Sequence, residues 1–198
     1  MVWSLGIGDI HSKMFPGRDD ARRGELYLSV LNRYKADHSK KCLQVGVSTL
    51  VNHKYSENFT SIDLYDQRSC IDVRCDLAKT PFNDGEFDFI VCNAILEHVK
   101  DPFACAAEMY RIANTGCEVW IEVPFIQPFH PTKKRYEDSD GFLAEHLNQS
   151  SDTYGDFDHG GDYWRFTPQG ITLLMRPFKY RELMLIQDGG IAYYGVKE

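Results

Sequence analysis

No apolar run in this sequence approaches the roughly 18 residues that a helical membrane span needs. Its first residues, MVWSLGIGDIHSKMF, hold neither a charged leader nor a long apolar stretch. Neither a spanning helix nor a secretory signal is therefore expected, and a cytoplasmic location is. Basic residues are in deficit: 22 Lys and Arg stand against 29 Asp and Glu, for a net charge of −7. That balance argues against nucleic acid as the main partner, because phosphate binding needs clustered Lys and Arg. The six cysteines form no CxxC pair, and Cys42, Cys92 and Cys117 lie in or beside apolar segments. They read as buried thiols in a reducing compartment, not as a disulfide frame or a zinc site. A GxGxxG fingerprint is missing too, which disfavours a nicotinamide-dependent oxidoreductase.

What remains is ample for one folded domain over residues 1–198, since 43% of the chain is hydrophobic and 13% aromatic. Residues 19–37 predict an N-terminal helix, with Leu26, Val30, Leu31 and Tyr34 on one side. Five short β-branched or aromatic segments follow, at 42–47, 60–64, 71–75, 87–92 and 118–123, several bounded by Gly, Asn, Asp or Pro. Between the fourth and fifth, residues 101–114 predict a helix. Asp101 is suited to cap it, Pro102 to open it, and Gly116 to end it in a left-handed turn. Strand, helix, strand at this spacing predicts a parallel α/β sheet. Residues 181–186 and 191–196, joined through Gln187-Asp188-Gly189-Gly190, predict a closing antiparallel hairpin. Residues 52–58 make a poor amphipathic helix, so the first crossover is expected to be little more than a loop.

Ligands of open parallel sheets sit beyond the carboxyl ends of the strands. The first segment ends in Gly46, Val47, Ser48 and Thr49, and the second in Asp63 and Leu64, with Asp63 standing 17 positions after Gly46. An acid at that place accepts the two hydroxyls of a ribose. Asp76 and Leu77 follow the third segment and suit an adenine amine and ring face, while Asn93 and Ala94 follow the fourth. Each is weak alone, since an Asp at a strand end is often only a turn residue. Together they converge on one crevice.

These stretches carry a family resemblance. LQVGVS, SIDLYD and above all CDLAKTPFNDGEFDFIVCNAILEHVKDP resemble, in unbroken order, the class I S-adenosylmethionine-dependent methyltransferases of the small-molecule type. EVPFIQPFHP and DYWRFTPQGI resemble a subgroup associated with surface-glycan gene clusters. The resemblance implies a Rossmann-like, mostly parallel seven-stranded α/β sheet with an antiparallel terminal strand and helices on both faces. It implies S-adenosylmethionine as cofactor, with Gly46, Val47, Ser48, Asn93 and Ala94 toward its methionine part, Asp63 and Leu64 at the ribose, and Asp76 and Leu77 at the adenine. The loop Gly46-Val47-Ser48-Thr49 departs from the family in holding one glycine where two or three are usual. Two readings follow. One is methyl transfer to an oxygen or nitrogen of a small polar acceptor, with a sugar or glycan precursor preferred. The other is an inactive descendant that binds another nucleoside ligand or a protein partner.

A hydroxyl acceptor calls for a base, and His serves near neutral pH. His130, set between Pro128 and Pro131 after the fifth segment, is the first candidate, and His98 in Ile95-Leu96-Glu97-His98-Val99 the second. His159, Asp162, Tyr163 and Arg165 are candidate acceptor contacts, with Arg165 suited equally to an anionic acceptor or to a loop acid. No recognised metal motif is present. Residues 132–162 hold three basic and eight acidic residues, so this polar insertion carries −5 of the total charge. It reads as a lid over the acceptor or as a solvated surface loop.

Overall fold

A computed structural model of the chain describes residues 19–48, 53–127, 162–186 and 189–198. Seven strands form one sheet in the order β3-β2-β1-β4-β5-β7-β6. They are β1 (Cys42–Val45), β2 (Phe59–Asp63), β3 (Val73–Arg74), β4 (Phe87–Asn93), β5 (Ala113–Pro124), β6 (Lys179–Leu185) and β7 (Gly190–Val196). The first five run parallel, with Val45 opposite both Ile62 and Cys92. β7 is antiparallel to both β5 and β6, as the closing hairpin predicts. The chain leaves β1 toward β2 on one side and returns to β4 on the other. The carboxyl ends of β1 and β4 are therefore the point where a crevice opens.

Parallel strands covered on both faces must be apolar throughout, and β4 shows why its segment reads that way. Phe89 and Val91 point into one core, and Ile90 and Cys92 into the other. The first core is covered by α1 (Asp20–Ala36), whose Val30, Leu31 and Tyr34 pack on Cys42, Phe59, Phe89 and Trp120. Tyr34 stacks on Phe89 with ring centroids 4.6 Å apart. Three ion pairs tie the helix to the sheet: Arg22–Glu182, Arg23–Glu122 and Arg33–Glu118. The second core is covered by α2 (Pro102–Ile112) and α3 (Pro168–Leu174), through Cys105, Ala106, Met109, Ile112, Ile171 and Leu174.

Asp101 caps α2 as expected, accepting the Ala104 amide at 3.0 Å, and Pro102 occupies the first turn. Gly116 does not end this helix. The chain turns extended at Ala113 and enters β5 directly, so Gly116, at φ +85°, lies inside a longer strand than the sequence predicts. Its amide pairs with the Lys197 carbonyl at 2.7 Å, and the ladder to β4 shifts register nearby. Backbone pairing with the terminal segment thus decides this glycine's role over helix-stop chemistry. β3 keeps only two residues of its predicted five. Residues 53–58 contain no helix, in line with the short first crossover. Most of the polar insertion at 132–162, with His130, His146, Asp158 and His159, lies outside the described residues, as does Thr49.

Candidate active site

A cavity of about 710 Å³ opens at the carboxyl ends of β1, β2 and β4. That size falls within the roughly 300–1,000 Å³ of small-molecule sites. Its wall contains Gly46, Val47, Ser48, Asp63, Leu64, Asp76, Leu77, Asn93 and Ala94, together with His98 and Tyr163. All nine cofactor positions expected from the sequence therefore meet at one place.

Gly46 sits at φ +73°, and a Cβ there would stand 2.5 Å from Ile95 Cδ1. The single glycine of this loop is thus required twice, by its backbone and by the side chain across the crevice. The loop has other supports in place of further glycines. Gln44, buried within β1, donates to the Gly46 carbonyl at 3.2 Å and accepts the Tyr55 amide at 3.0 Å. Arg68 reaches across from the segment after β2, donating to the Val47 carbonyl at 2.6 Å and the Ser48 carbonyl at 3.2 Å. Its guanidinium also pairs with Asp66, which is 2% exposed. Sequence reasoning missed this clamp, whose only trace is the second acid and the arginine in Asp63-Leu64-Tyr65-Asp66-Gln67-Arg68.

At the end of β2, Asp63 Oδ1 accepts the amides of Tyr65 and Asp66 at 2.8 and 2.9 Å. The turn-forming reading of this acid therefore holds, and Oδ2 is not used by the turn. Asp76 likewise accepts the Ala78 amide at 2.8 Å beside buried Leu77. At the end of β4, Ala94 adopts φ +54°, a left-handed conformation rare for alanine. Its amide is held by the Glu122 carbonyl at 2.9 Å. Asn93 donates to the Tyr27 hydroxyl at 3.3 Å, and that hydroxyl is 2.8 Å from the Tyr55 hydroxyl. Helix α1 thereby supports a residue of the cavity wall, which its amphipathic pattern does not announce.

Beyond the end of β4 stand a 3-10 turn, Leu96–His98, and residues 162–166. The Glu97 carbonyl accepts the amides of Tyr163 at 2.7 Å and Trp164 at 3.3 Å, and the Trp164 indole donates to the Val99 carbonyl at 2.8 Å. Arg165 forks onto Asp162 at 2.5 and 2.6 Å and donates to the Gln127 carbonyl at 3.0 Å. Of the two uses open to Arg165, the structure shows the loop acid. The Glu97 side chain is 1% exposed, and burial pushes its carboxyl up to about 8. Neither Glu97 nor Arg68 was singled out from the sequence. A Glu in an otherwise apolar segment was the available signal for the first.

Four of the six cysteines follow the expectation of buried thiols, Cys42, Cys92, Cys105 and Cys117, while Cys70 and Cys75 are half-buried; burial pushes the thiols of Cys42 and Cys105 up to about 12. Of the possible metal ligands weighed from the sequence, only Asp162 is among the described residues.

Comparison with known proteins adds likenesses. The sequence pattern of a methyltransferase domain matches residues 34–121, the span that holds β1 through β4, α2 and the start of β5. A cycloartenol-C-24-methyltransferase of Oryza sativa subsp. japonica is 32% identical over 74 residues, covering 35% of this chain and 22% of that protein. The chain thus spans about a fifth of the curated relative it matches. Among solved structures, a SAM-dependent methyltransferase from Methanosarcina mazei superposes with a TM-score of 0.54 at 17% identity, covering 85% of this chain and 96% of its own. Another from Aquifex aeolicus reaches 0.55 at 12% identity, covering 96% and 98%. At these identities the likeness is one of fold, and it is the Rossmann-like methyltransferase fold. S-adenosylmethionine is the cofactor named for those two structures, and the cavity here holds groups that suit such a ligand. Asn93 Oδ1 is a buried acceptor with no partner, Asp63 keeps one carboxylate oxygen unused by its turn, and Leu77 offers an apolar face.

Proposed function

We propose that this protein is a class I methyltransferase that transfers a methyl group from S-adenosylmethionine to an oxygen, or a nitrogen, of a small polar acceptor. The observation that carries this reading is the meeting of Gly46, Asp63, Asp76 and Asn93, from four strand ends, on one cavity. Asp63 would hold the ribose through Oδ2, while Oδ1 keeps its own turn rigid. Asp76 and Leu77 would take the adenine, and Gly46, Val47, Ser48, Asn93 and Ala94 would line the methionine end. When bound, the cofactor supplies a methyl on a sulfonium, open to in-line displacement. The protein's part is alignment and exclusion of water. His98, on the cavity wall, would take the acceptor's proton, and Tyr163 would flank the acceptor. Asp162 and Arg165 would brace that end as a pair. His130 and His159 keep their place as acceptor-side candidates from the sequence alone. A sugar or glycan precursor is the acceptor class favoured by the resemblance of EVPFIQPFHP and DYWRFTPQGI.

Calorimetric titration with S-adenosylmethionine, S-adenosylhomocysteine and, as control, NAD tests the reading. Both sulfur nucleosides should bind and NAD should not. Asp63→Asn keeps an oxygen for the turn but loses the charge, and should weaken binding at least tenfold, about 1.4 kcal/mol, in a folded protein. Absence of binding by folded wild-type protein would overturn the enzyme reading and leave a non-catalytic descendant.

A further inference from the structure

Unsatisfied polar atoms in this interior are concentrated at one place. Among the described residues, four buried side-chain atoms lack a hydrogen-bond partner: Oδ1 of Asn58, Oδ1 of Asn93 and both carboxyl oxygens of Glu97. Three of the four therefore belong to the end of β4 and the 3-10 turn just after it. A carboxyl is the most costly group to leave so, and an orphaned one in a native interior asks for a function. Glu97 is 1% exposed, and its backbone carbonyl accepts the amides of Tyr163 and Trp164. It stands one layer behind the cavity, whose wall carries the next residue, His98. His98 Nε2 lies 3.9 Å from Glu97 Oε1, within ion-pair distance but longer than a hydrogen bond. The other charged or titratable groups facing Glu97 are Asp162 and Arg165 from the facing segment and Cys92 from β4. Asp162 and Arg165 are already paired with each other.

We infer that Glu97 is a positioning residue that holds a proton for the acceptor end through His98, an inference that rests on the methyl-transfer reading. In the reactive state Glu97 is ionised and His98 neutral. The acceptor's O–H or N–H bond breaks and its proton passes to the imidazole of His98. The acceptor atom bonds to the methyl carbon as the carbon–sulfur bond breaks, its electron pair returning to sulfur. The imidazolium then gives a proton to the Glu97 carboxylate, so charge and protons balance. A base pair of this kind gains strength as pH rises through the titration of its buried member. Burial places that titration at about 8 for Glu97.

Nuclear magnetic resonance tests the coupling without an acceptor. The His98 imidazole is followed from acid to alkaline pH in wild type, Glu97→Gln and Glu97→Asp, with and without S-adenosylhomocysteine. In wild type its resonance should show a second inflection where Glu97 titrates, near 8. That inflection should vanish in Glu97→Gln and persist, displaced, in Glu97→Asp. Identical His98 curves in wild type and Glu97→Gln overturn the coupling. Should Glu97→Gln fail to fold, the carbon-13 titration of the Glu97 carboxyl in wild type decides instead: ionisation in the ordinary glutamate range overturns the inference. Calorimetry with S-adenosylhomocysteine, in which Glu97→Gln should match wild type within about threefold, separates the two readings. No binding by wild type overturns methyl transfer, and this role with it. Binding with identical His98 curves overturns the Glu97 role alone.

Discussion

Gly46 is constrained both by its own backbone and by the side chain that faces it. Its positive φ costs an L-residue roughly 1–2 kcal/mol, and its missing Cβ leaves room for Ile95 Cδ1. Gly46→Ala should therefore lose about 2–4 kcal/mol of stability. Ile95→Val removes the nearest atom, so adding it should return part of that loss while the backbone term stays. Denaturant melts of the two single variants and the double variant measure the coupling directly. Strictly additive losses would show that Ile95 is not what excludes the side chain. Ala94, at φ +54°, has the same backbone conformation without the excuse of glycine. Strain of that kind persists only where surrounding structure over-determines it, and it clusters at functional sites.

At the scale of elements, the loop after β1 is positioned by its neighbours more than by its own sequence. Gln44 holds it from within the strand, and Arg68 holds two of its carbonyls from the segment after β2. Asp66, buried, keeps the guanidinium in place and raises its affinity for its proton. Arg68→Met would leave that carboxylate without its cation and the carbonyls of Val47 and Ser48 without their donor. Breaking a buried pair from one side costs on the order of 3 kcal/mol, so the melting temperature should fall by several degrees. On the proposed reading, affinity for S-adenosylhomocysteine should fall as well, because a loop lining the cavity loses its tether. A variant that melts lower yet binds unchanged would show that the clamp serves the fold alone. The junction of α2 with β5 makes a related point. Helix propensity alone predicts a glycine stop, but pairing of Gly116 with Lys197 and of the strand with β7 prevails.

For the whole molecule, buried Glu97 links stability to pH. Folded, its carboxyl keeps its proton up to about 8; unfolded, it ionises near 4.5. Between those values the folded chain binds more protons than the unfolded chain, so this group's contribution to stability falls as pH rises. Each unit between them is worth at most about 1.4 kcal/mol. Glu97→Gln, with nothing to ionise, should gain on wild type steadily from about pH 5 to about pH 8. Urea melts across that range check the sign; a constant difference would mean that Glu97 ionises normally in the folded protein. No helix among the described residues is long and apolar enough to cross a membrane.

The sequence by itself determined the parallel sheet, its closing hairpin and the nine residues at the strand ends. Period-two and continuous apolar runs are local signals, and strand ends converge in any sheet of this order. That is why Asp63 and Asp76, distant along the chain, were both legible. Only the tertiary structure decided the rest. Whether Arg165 is open to a ligand depends on Asp162 beside it, and whether Gly46 tolerates a side chain depends on Ile95 from another loop. The Arg68 clamp, the Tyr27–Asn93 contact and the buried state of Glu97 each join segments far apart in sequence. Side-chain chemistry announces which groups exist, but burial and pairing arise from packing. Those decide which of the groups remain for a ligand.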